Sequence, residues 1–248
     1  MKLSYFIITN IDNTLFGGSA ADVKTLIKII RENYEVMGFG VATGRTIDSA
    51  VEILSANQVP APDVIIASAG SEIYYGPTLH YGQGWETHIS SQWNRQKIVN
   101  LLNVFDFLEY QEENAQRKFK ISYNMTPAKD RLAKIHDLLL KNKCRYNWSY
   151  AHKKYLDILP FRASKGKAIR YLSYKWEIPL QNFLVCGDSG NDEDMLRGEP
   201  MAVVVGNFSP ELRKLKGMKN IYFSKNEYAA GIIEAIEKYR FLKMTRKN

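Results

Sequence analysis

At 248 residues the chain is long enough for one large domain or for a core with an inserted lobe, and 45% hydrophobic residues is a normal supply for a buried core. Its two cysteines, Cys144 and Cys186, lie far apart, which excludes a disulfide framework or a cysteine metal knuckle and favours a reducing, cytoplasmic setting. The formal charge of +8 is spread along helices and into the tail (Lys243, Arg246, Lys247) without interleaved aromatics, so no nucleic-acid partner is expected and a small anionic ligand suits it better.

Taken in chain order, Lys2 and the apolar residues after it resemble the start of a signal peptide, but the run is short and ends in Asn10 and Asp12. Tyr5–Thr9 reads instead as a buried strand, followed by a helical pattern at Ala21–Glu32. A second strand, Gly38–Ala42, turns at Thr43-Gly44-Arg45 into a helix over Thr46–Ala56. A third, Val64–Ala67, ends at Ser68-Ala69-Gly70. From Tyr81 to about Asp157 the texture changes to Trp85, Trp93, Trp148 and many Tyr, Asn and Lys, with strand-like Lys118–Met125 and Tyr155–Leu159 on either side of helical Ala128–Lys141. The first texture resumes with a helix at Ser164–Tyr174, a strand at Phe183–Cys186 and a helical stretch at Asp192–Arg197. The expected fold is therefore α/β: a Rossmann-like, doubly wound parallel sheet from residues 1–80 and 160–248, interrupted by an inserted α+β lobe at 81–159. No stretch approaches the roughly 20 apolar residues of a membrane span, so no membrane partner is expected.

The polar turns all follow strand ends, where open α/β sheets collect their ligands. Asn10-Ile11-Asp12-Asn13-Thr14 is ambiguous alone, since Asp12 could simply cap a turn. Thr43-Gly44-Arg45 offers a hydroxyl and free N–H groups for phosphate oxygens, or an ordinary capped helix. Ser164-Lys165-Gly166 places an ammonium at a helix start, where most lysines are merely solvated. Gly187-Asp188-Ser189-Gly190-Asn191-Asp192 is the most specific: two carboxylates four residues apart in a glycine turn suit a hard cation such as Mg2+, and Asn191 can donate to phosphate. A Ca2+ turn or a capping cluster remains open there.

Together with Gly70-Ser71-Glu72-Ile73-Tyr74, Lys120-Ile121-Ser122-Tyr123 and Leu156-Asp157-Ile158-Leu159-Pro160, these stretches resemble the haloacid dehalogenase superfamily. More narrowly, they resemble the sucrose-phosphatase family and the similar domain of bacterial sucrose-phosphate synthases. That resemblance implies a C2-type cap and Mg2+-dependent hydrolysis of sucrose 6-phosphate through an aspartyl phosphate. It places the nucleophile at position 10 and the general acid and base at Asp12, with metal contacts from residue 10, Asp12, Asp188 and Asp192. Thr43, Gly44, Arg45, Lys165 and Asn191 would hold the phosphate. A related disaccharide phosphate, such as mannosylfructose phosphate, is the alternative substrate, and a sucrose-phosphate synthase the alternative partner.

Position 10 departs from this scheme, because Asn10 is uncharged and a poor nucleophile. A deliberate exchange that traps substrate is the preferred explanation over a natural pseudo-phosphatase; deamidation is disfavoured because Ile11 rather than glycine follows. The chain is expected to bind sucrose 6-phosphate with Mg2+ yet barely hydrolyse it. For the sugar itself, Glu72, Trp85, Trp93, Lys120 and Lys154 are the candidates, with packing of the lobe's own core as the competing role for both tryptophans.

Overall fold

The period of two along an extended chain sends alternate side chains to opposite faces, and in the central strands both faces are apolar. In β1 (Phe6–Thr9), Phe6 and Ile8 join one buried cluster while Ile7 joins the other. In β3 (Val64–Ala67), Val64 and Ile66 face one way and Ile65 the other. β10 (Phe183–Gly187) repeats the division, with Phe183 and Val185 opposite Leu184 and Cys186. Such strands must be covered on both sides, and the computed structural model, which describes residues 3–128 and 130–245, shows that cover. Lys2, Lys129, Arg246 and Lys247 lie outside the described residues.

With β2 (Gly38–Ala42), β4 (Glu72–Tyr75), β5 (His80–Tyr81), β11 (Met201–Val204) and β12 (Ile221–Phe223), these strands form one sheet in the order β12-β11-β10-β1-β2-β3-β4-β5. The six strands from β12 to β3 are parallel, and β4 and β5 return antiparallel at one edge. The chain winds outward from β1 to β3 and later from β10 to β12, so the winding reverses between β1 and β10. That reversal opens a crevice beyond the strand ends.

Helix α1 (Ala20–Glu32) begins where the Ser19 hydroxyl accepts from the Ala21 N–H, and it buries Val23, Leu26, Ile27 and Ile30 at helical spacing. With α2 (Ile47–Ala56), α8 (Tyr228–Lys238) and α9 (Phe241–Thr245) it covers one face of the sheet. The other face is covered by α3 (Gln83–Ser90), α6 (Lys165–Trp176) and α7 (Glu193–Leu196). Trp85 and Ile89 of α3 thus pack with the main sheet. The smaller cluster takes Ile98 and Leu102 of α4 (Arg95–Leu102) and Ile135 and Leu139 of α5 (Arg131–Lys141). The strands of that second sheet are β6 (Leu108–Tyr110), β7 (Ile121–Met125), β8 (Tyr146–Ala151) and β9 (Tyr155–Pro160), antiparallel in the order β6-β7-β9-β8. Among the described residues no helix is long and apolar enough to cross a membrane.

One edge of the main sheet is tied by a single carboxylate. Glu234 on α8 accepts from the Ser224 hydroxyl at 2.6 Å, from the N–H groups of Asn226 at 3.0 Å and Lys225 at 3.2 Å, and from the Tyr222 hydroxyl. Burial alone would raise its pKa, but the hydrogen bonds from Ser224, Tyr222, Asn226 and Lys225 outweigh it and bring it from 4.5 down to about 2. A depressed carboxylate pKa stabilises the fold fully above the unfolded value and loses that contribution as pH falls through the folded one. Acid unfolding should therefore steepen between pH 4.5 and about 2. In Glu234→Gln that part of the pH dependence of Tm should flatten; an unchanged acid limb would remove the explanation.

Candidate functional site

The loops after β1, β2 and β10 and the start of α6 meet at the crevice. The Asn10 N–H donates to the Cys186 carbonyl at 2.9 Å, extending the parallel pairing of β1 and β10 one residue into the site. This places the Asn10 side chain, 4% exposed, between Asp188 and Lys165. Its nitrogen donates to the Asp12 carbonyl at 2.8 Å and to Asp188 Oδ1 at 3.0 Å, with Thr14 Oγ1 at 3.4 Å. Its oxygen accepts from Lys165 Nζ at 3.0 Å. Thr14 Oγ1 donates to the same Asp188 oxygen at 2.6 Å.

Lys165 is 1% exposed, an unusual place for an ammonium, and it is held by Asp192 Oδ1 at 2.7 Å. The other Asp192 oxygen accepts from the N–H groups of Asp188 at 3.0 Å and Ser189 at 3.2 Å, closing the Asp188 turn. Asp192 therefore has both oxygens engaged by the lysine and the loop. Burial, and next the charge of Asp192, hold the Asp188 carboxyl above the usual carboxylate range, against hydrogen bonds from Thr14 and Asn10 and the charge of Lys165.

The Thr43 loop is fixed by backbone pairing: Thr43 N–H donates to the Ile66 carbonyl at 2.8 Å, and Ala69 N–H to the Thr43 carbonyl at 2.9 Å. Thr43 Oγ1 accepts from the Arg45 N–H at 3.1 Å. Asn191 stands close by, since a Cβ added at Gly44 would lie 4.0 Å from its Nδ2. Arg45 does not point at this cradle. Its guanidinium grips Asp12 in a two-pronged ion pair, with Nε at 2.8 Å and Nη2 at 2.7 Å, and donates from Nη1 to Ser49 Oγ at 2.8 Å. The Asp12 bond, partly offset by burial, raises the Arg45 pKa further and keeps it charged. Arg45 thus engages the carboxylate of Asp12, which leaves Thr43, Gly44, Asn191 and Lys165 as the expected phosphate contacts.

Lys165 is placed by a tight packing contact that the sequence did not advertise. Ser68, Ala69 and Gly70 all adopt positive φ, and a Cβ at Gly70 (φ 96°) would come within 2.1 Å of the Ser164 carbonyl carbon. Gly70→Ala should push the start of α6 outward, lowering Tm by several degrees and weakening phosphate binding with it. Thermal unfolding and phosphate titration would test both, and an unmoved affinity would separate Lys165 from this contact.

The second sheet leans over the crevice. Lys120 Nζ donates to the Gly44 carbonyl at 3.4 Å and lies 3.9 Å from Asp157, while Arg117 lies 3.9 Å from both Glu72 and Asp48. A cavity of about 590 Å³ runs between Arg45, Asp48, Gln111, Asn114, Arg117 and Lys120, and one of about 620 Å³ lies past Lys165 between Asn147, Tyr150, Asn191 and Lys214. Of the expected sugar contacts, Lys120 and Glu72 sit at this junction, with Glu72 also accepting from Ser68 Oγ at 2.8 Å. Trp85 does not: it is 1% exposed, stacks on His88 and donates to the Gly70 carbonyl at 3.1 Å, so its role is packing. Trp93 is half-buried, bridges the cluster on the α3–α6 face of the main sheet and the smaller cluster of the second sheet, and donates to the Lys118 carbonyl at 3.0 Å. Lys154 sits in the β8–β9 turn over the Tyr155 ring and lines neither cavity. Sequence reasoning overlooked Arg117 and assigned no role to Thr14. The short spacing from Asp12 to Thr14 was the available signal for the second; nothing local marked the first.

Comparison with known proteins agrees with this architecture. A model of the family described as sucrose-6F-phosphate phosphohydrolase matches residues 3–240. Sucrose-phosphatase 1 of Nicotiana tabacum is 29% identical over 93% of the chain, which spans 58% of that protein's length. Mannosylfructose-phosphate phosphatase of Agrobacterium fabrum is 30% identical over 78% of the chain and 79% of its own length. The crystal structure of the sucrose-phosphatase from Synechocystis sp. PCC6803, in complex with sucrose and phosphate, superposes with a TM-score of 0.91 at 28% identity, covering 97% of this chain and 99% of that one.

Proposed function

The chain belongs to the sucrose-6F-phosphate phosphohydrolase family, a family of phosphoric monoester hydrolases, and from that premise we propose that its ligand is a sugar phosphate, sucrose 6-phosphate first. The observation that carries this reading is the buried Lys165 ammonium, aimed with Asn10 and Asp192 at the point where the strand ends converge. A phosphoryl group there would meet Lys165 as a fixed charge, with the Thr43 hydroxyl, the Gly44 loop and the Asn191 amide as hydrogen-bonding partners. The sugar would extend beneath the second sheet toward Lys120, Arg117 and Glu72. We assign residues from α4 to β9 to the cap that covers it, and place α3 with the core because Trp85 and Ile89 pack there.

Asp12 would give a proton to the departing sugar oxygen and later take one from water, with Arg45 holding its orientation. Asn10 stands where the attack on phosphorus would start, and a carboxamide cannot form an acyl phosphate. The chain as written therefore retains the ester rather than cleaving it. In the Asn10→Asp form a new carboxylate would join Asp188 and the Asp12 carbonyl, a set of oxygens suited to Mg2+, whose chemistry is to offset charge on the phosphoryl group.

Calorimetric titration of the chain with sucrose 6-phosphate and mannosylfructose phosphate, beside phosphate release by Asn10→Asp on both, would test this. Binding of neither ester would overturn the reading. Asn10 also favours a second one, a non-catalytic module that holds a sugar phosphate beside a glycosyltransferase. Capture of a sucrose-phosphate synthase that depends on sugar phosphate would support it, with Asn10→Asp inactive.

A further inference from the structure

Resting on the reading of this crevice as a phosphoryl site, we infer that the Asn10 carboxamide takes the place of a divalent cation, so that the site is complete without Mg2+ and does not take it up. The two groups a cation would join, the Asp12 carbonyl and the Asp188 carboxylate, are already joined by Asn10 Nδ2, at 2.8 and 3.0 Å. Two N–H groups meet two acceptors, the Asp12 carbonyl and Asp188 Oδ1.

The orientation of the amide is set by its neighbours. On one side stand the Asp12 carbonyl and an Asp188 oxygen, which can only accept, with the Thr14 hydroxyl, whose proton is committed to Asp188; on the other stands the Lys165 ammonium, a donor only. Presenting the Asn10 oxygen to a cation would require turning the amide over. Its NH2 would then face Lys165 Nζ across the 3.0 Å where a donor now meets an acceptor. The same turn would strip Asp12 and Asp188 of their shared donor.

The remaining groups offer no substitute. Asp192 accepts from Lys165 through one oxygen and from two backbone N–H groups through the other. Asp12's carboxylate is held by Arg45. Asp188 is left as the single carboxylate facing the position, and its Oδ1 already accepts from Thr14 and Asn10. Hard dications are held by several charged or strongly polar oxygens, and among the described residues no three His, Cys, Asp or Glu side chains are grouped to hold a metal. The residues present do not fit the ion that the family resemblance implies.

Mn2+, whose free form is counted by electron paramagnetic resonance, provides the test. Titrated against the full chain it should stay free, and millimolar MgCl2 should leave the chain's Tm unmoved. Asn10→Asp should bind Mn2+ at least about 100-fold more tightly, beyond the usual effect of a residue that only supports a ligand, and its Tm should rise with Mg2+ by mass action. Mn2+ uptake by the unaltered chain that disappears in Asp188→Asn overturns the inference without recourse to Asn10→Asp, should that variant not fold. An Asn10→Asp protein that binds Mn2+ but releases phosphate from no sugar phosphate supports this inference while ending the phosphatase reading. An active Asn10→Asp beside an unaltered chain that binds Mn2+ equally well does the reverse.

Discussion

Asn10→Asp is expected to raise phosphate release from a sugar phosphate in the presence of Mg2+ by on the order of 10^4-fold or more, the scale on which losing a catalytic group lowers turnover. The rest of the arrangement is already in place. Lys165 Nζ lies 3.0 Å from the residue-10 oxygen, and Asp12 is clamped by Arg45 with Nη2 at 2.7 Å. What is missing is charge and a reactive lone pair, since the amide nitrogen's electrons are delocalised into its carbonyl. An aspartate would put an oxygen where Nδ2 now stands, within about 3 Å of two other oxygens. That crowding costs stability until a cation or a proton relieves it. The variant should therefore unfold at a lower temperature than the unaltered chain without Mg2+ and recover when it is added. Phosphate release measured across a panel of sugar phosphates decides the matter: a folded variant that is silent on all of them would remove the phosphatase assignment.

Lys165→Met should destabilise the protein by about 3–5 kcal/mol, the cost of leaving one partner of a buried ion pair alone. For a chain of this size that corresponds to a fall in Tm of roughly 6–20 °C. The reason lies in what the lysine leaves behind: Asp192 is fully buried, and its second oxygen is committed to the N–H groups of Asp188 and Ser189. Removing the Asp192 charge as well would not restore the loss, because the same carboxylate shapes the loop. Asn10 Oδ1 would also be orphaned, leaving the carboxamide held only through its Nδ2 bonds to Asp12 and Asp188. Lys175→Met, at an exposed lysine whose Nζ donates to Tyr75 OH at 3.3 Å, should change stability by less than about 0.5 kcal/mol. Thermal unfolding of the two variants separates the roles, and equal, small shifts would mean that Lys165 is not the anchor described. Sugar-phosphate binding should vanish in Lys165→Met at temperatures where it remains folded.

The strands that bear the site were legible because they are buried on both faces. Tyr5–Thr9, Gly38–Ala42, Val64–Ala67 and Phe183–Cys186 read as apolar runs cut off by polar turns. The strands of the second sheet were not all visible. Tyr146–Ala151 mixes aromatic and polar residues along its length and lacks a clean alternation. Tryptophan content drew α3 into the inserted lobe, yet Trp85 is buried against Tyr171 of α6, because a large apolar side chain packs wherever the chain brings a matching surface. The family resemblance places Arg45 among the phosphate ligands. Its actual partner, Asp12, sits 33 positions earlier in the chain.

By itself the sequence determined the α/β winding, the crevice to which the polar turns belong, the family, and the presence of an amide where a carboxylate was expected. These follow from local patterns: apolar runs, turn residues and their spacing. Which way that amide faces was decided only by the tertiary structure. A carboxamide has two ends of nearly equal shape, and of the groups that choose between them only the Asp12 carbonyl and the Thr14 hydroxyl lie nearby in the chain. The choice is completed by Lys165, 155 positions away, and Asp188, 178 positions away, one a donor and the other an acceptor on opposite sides of the same group.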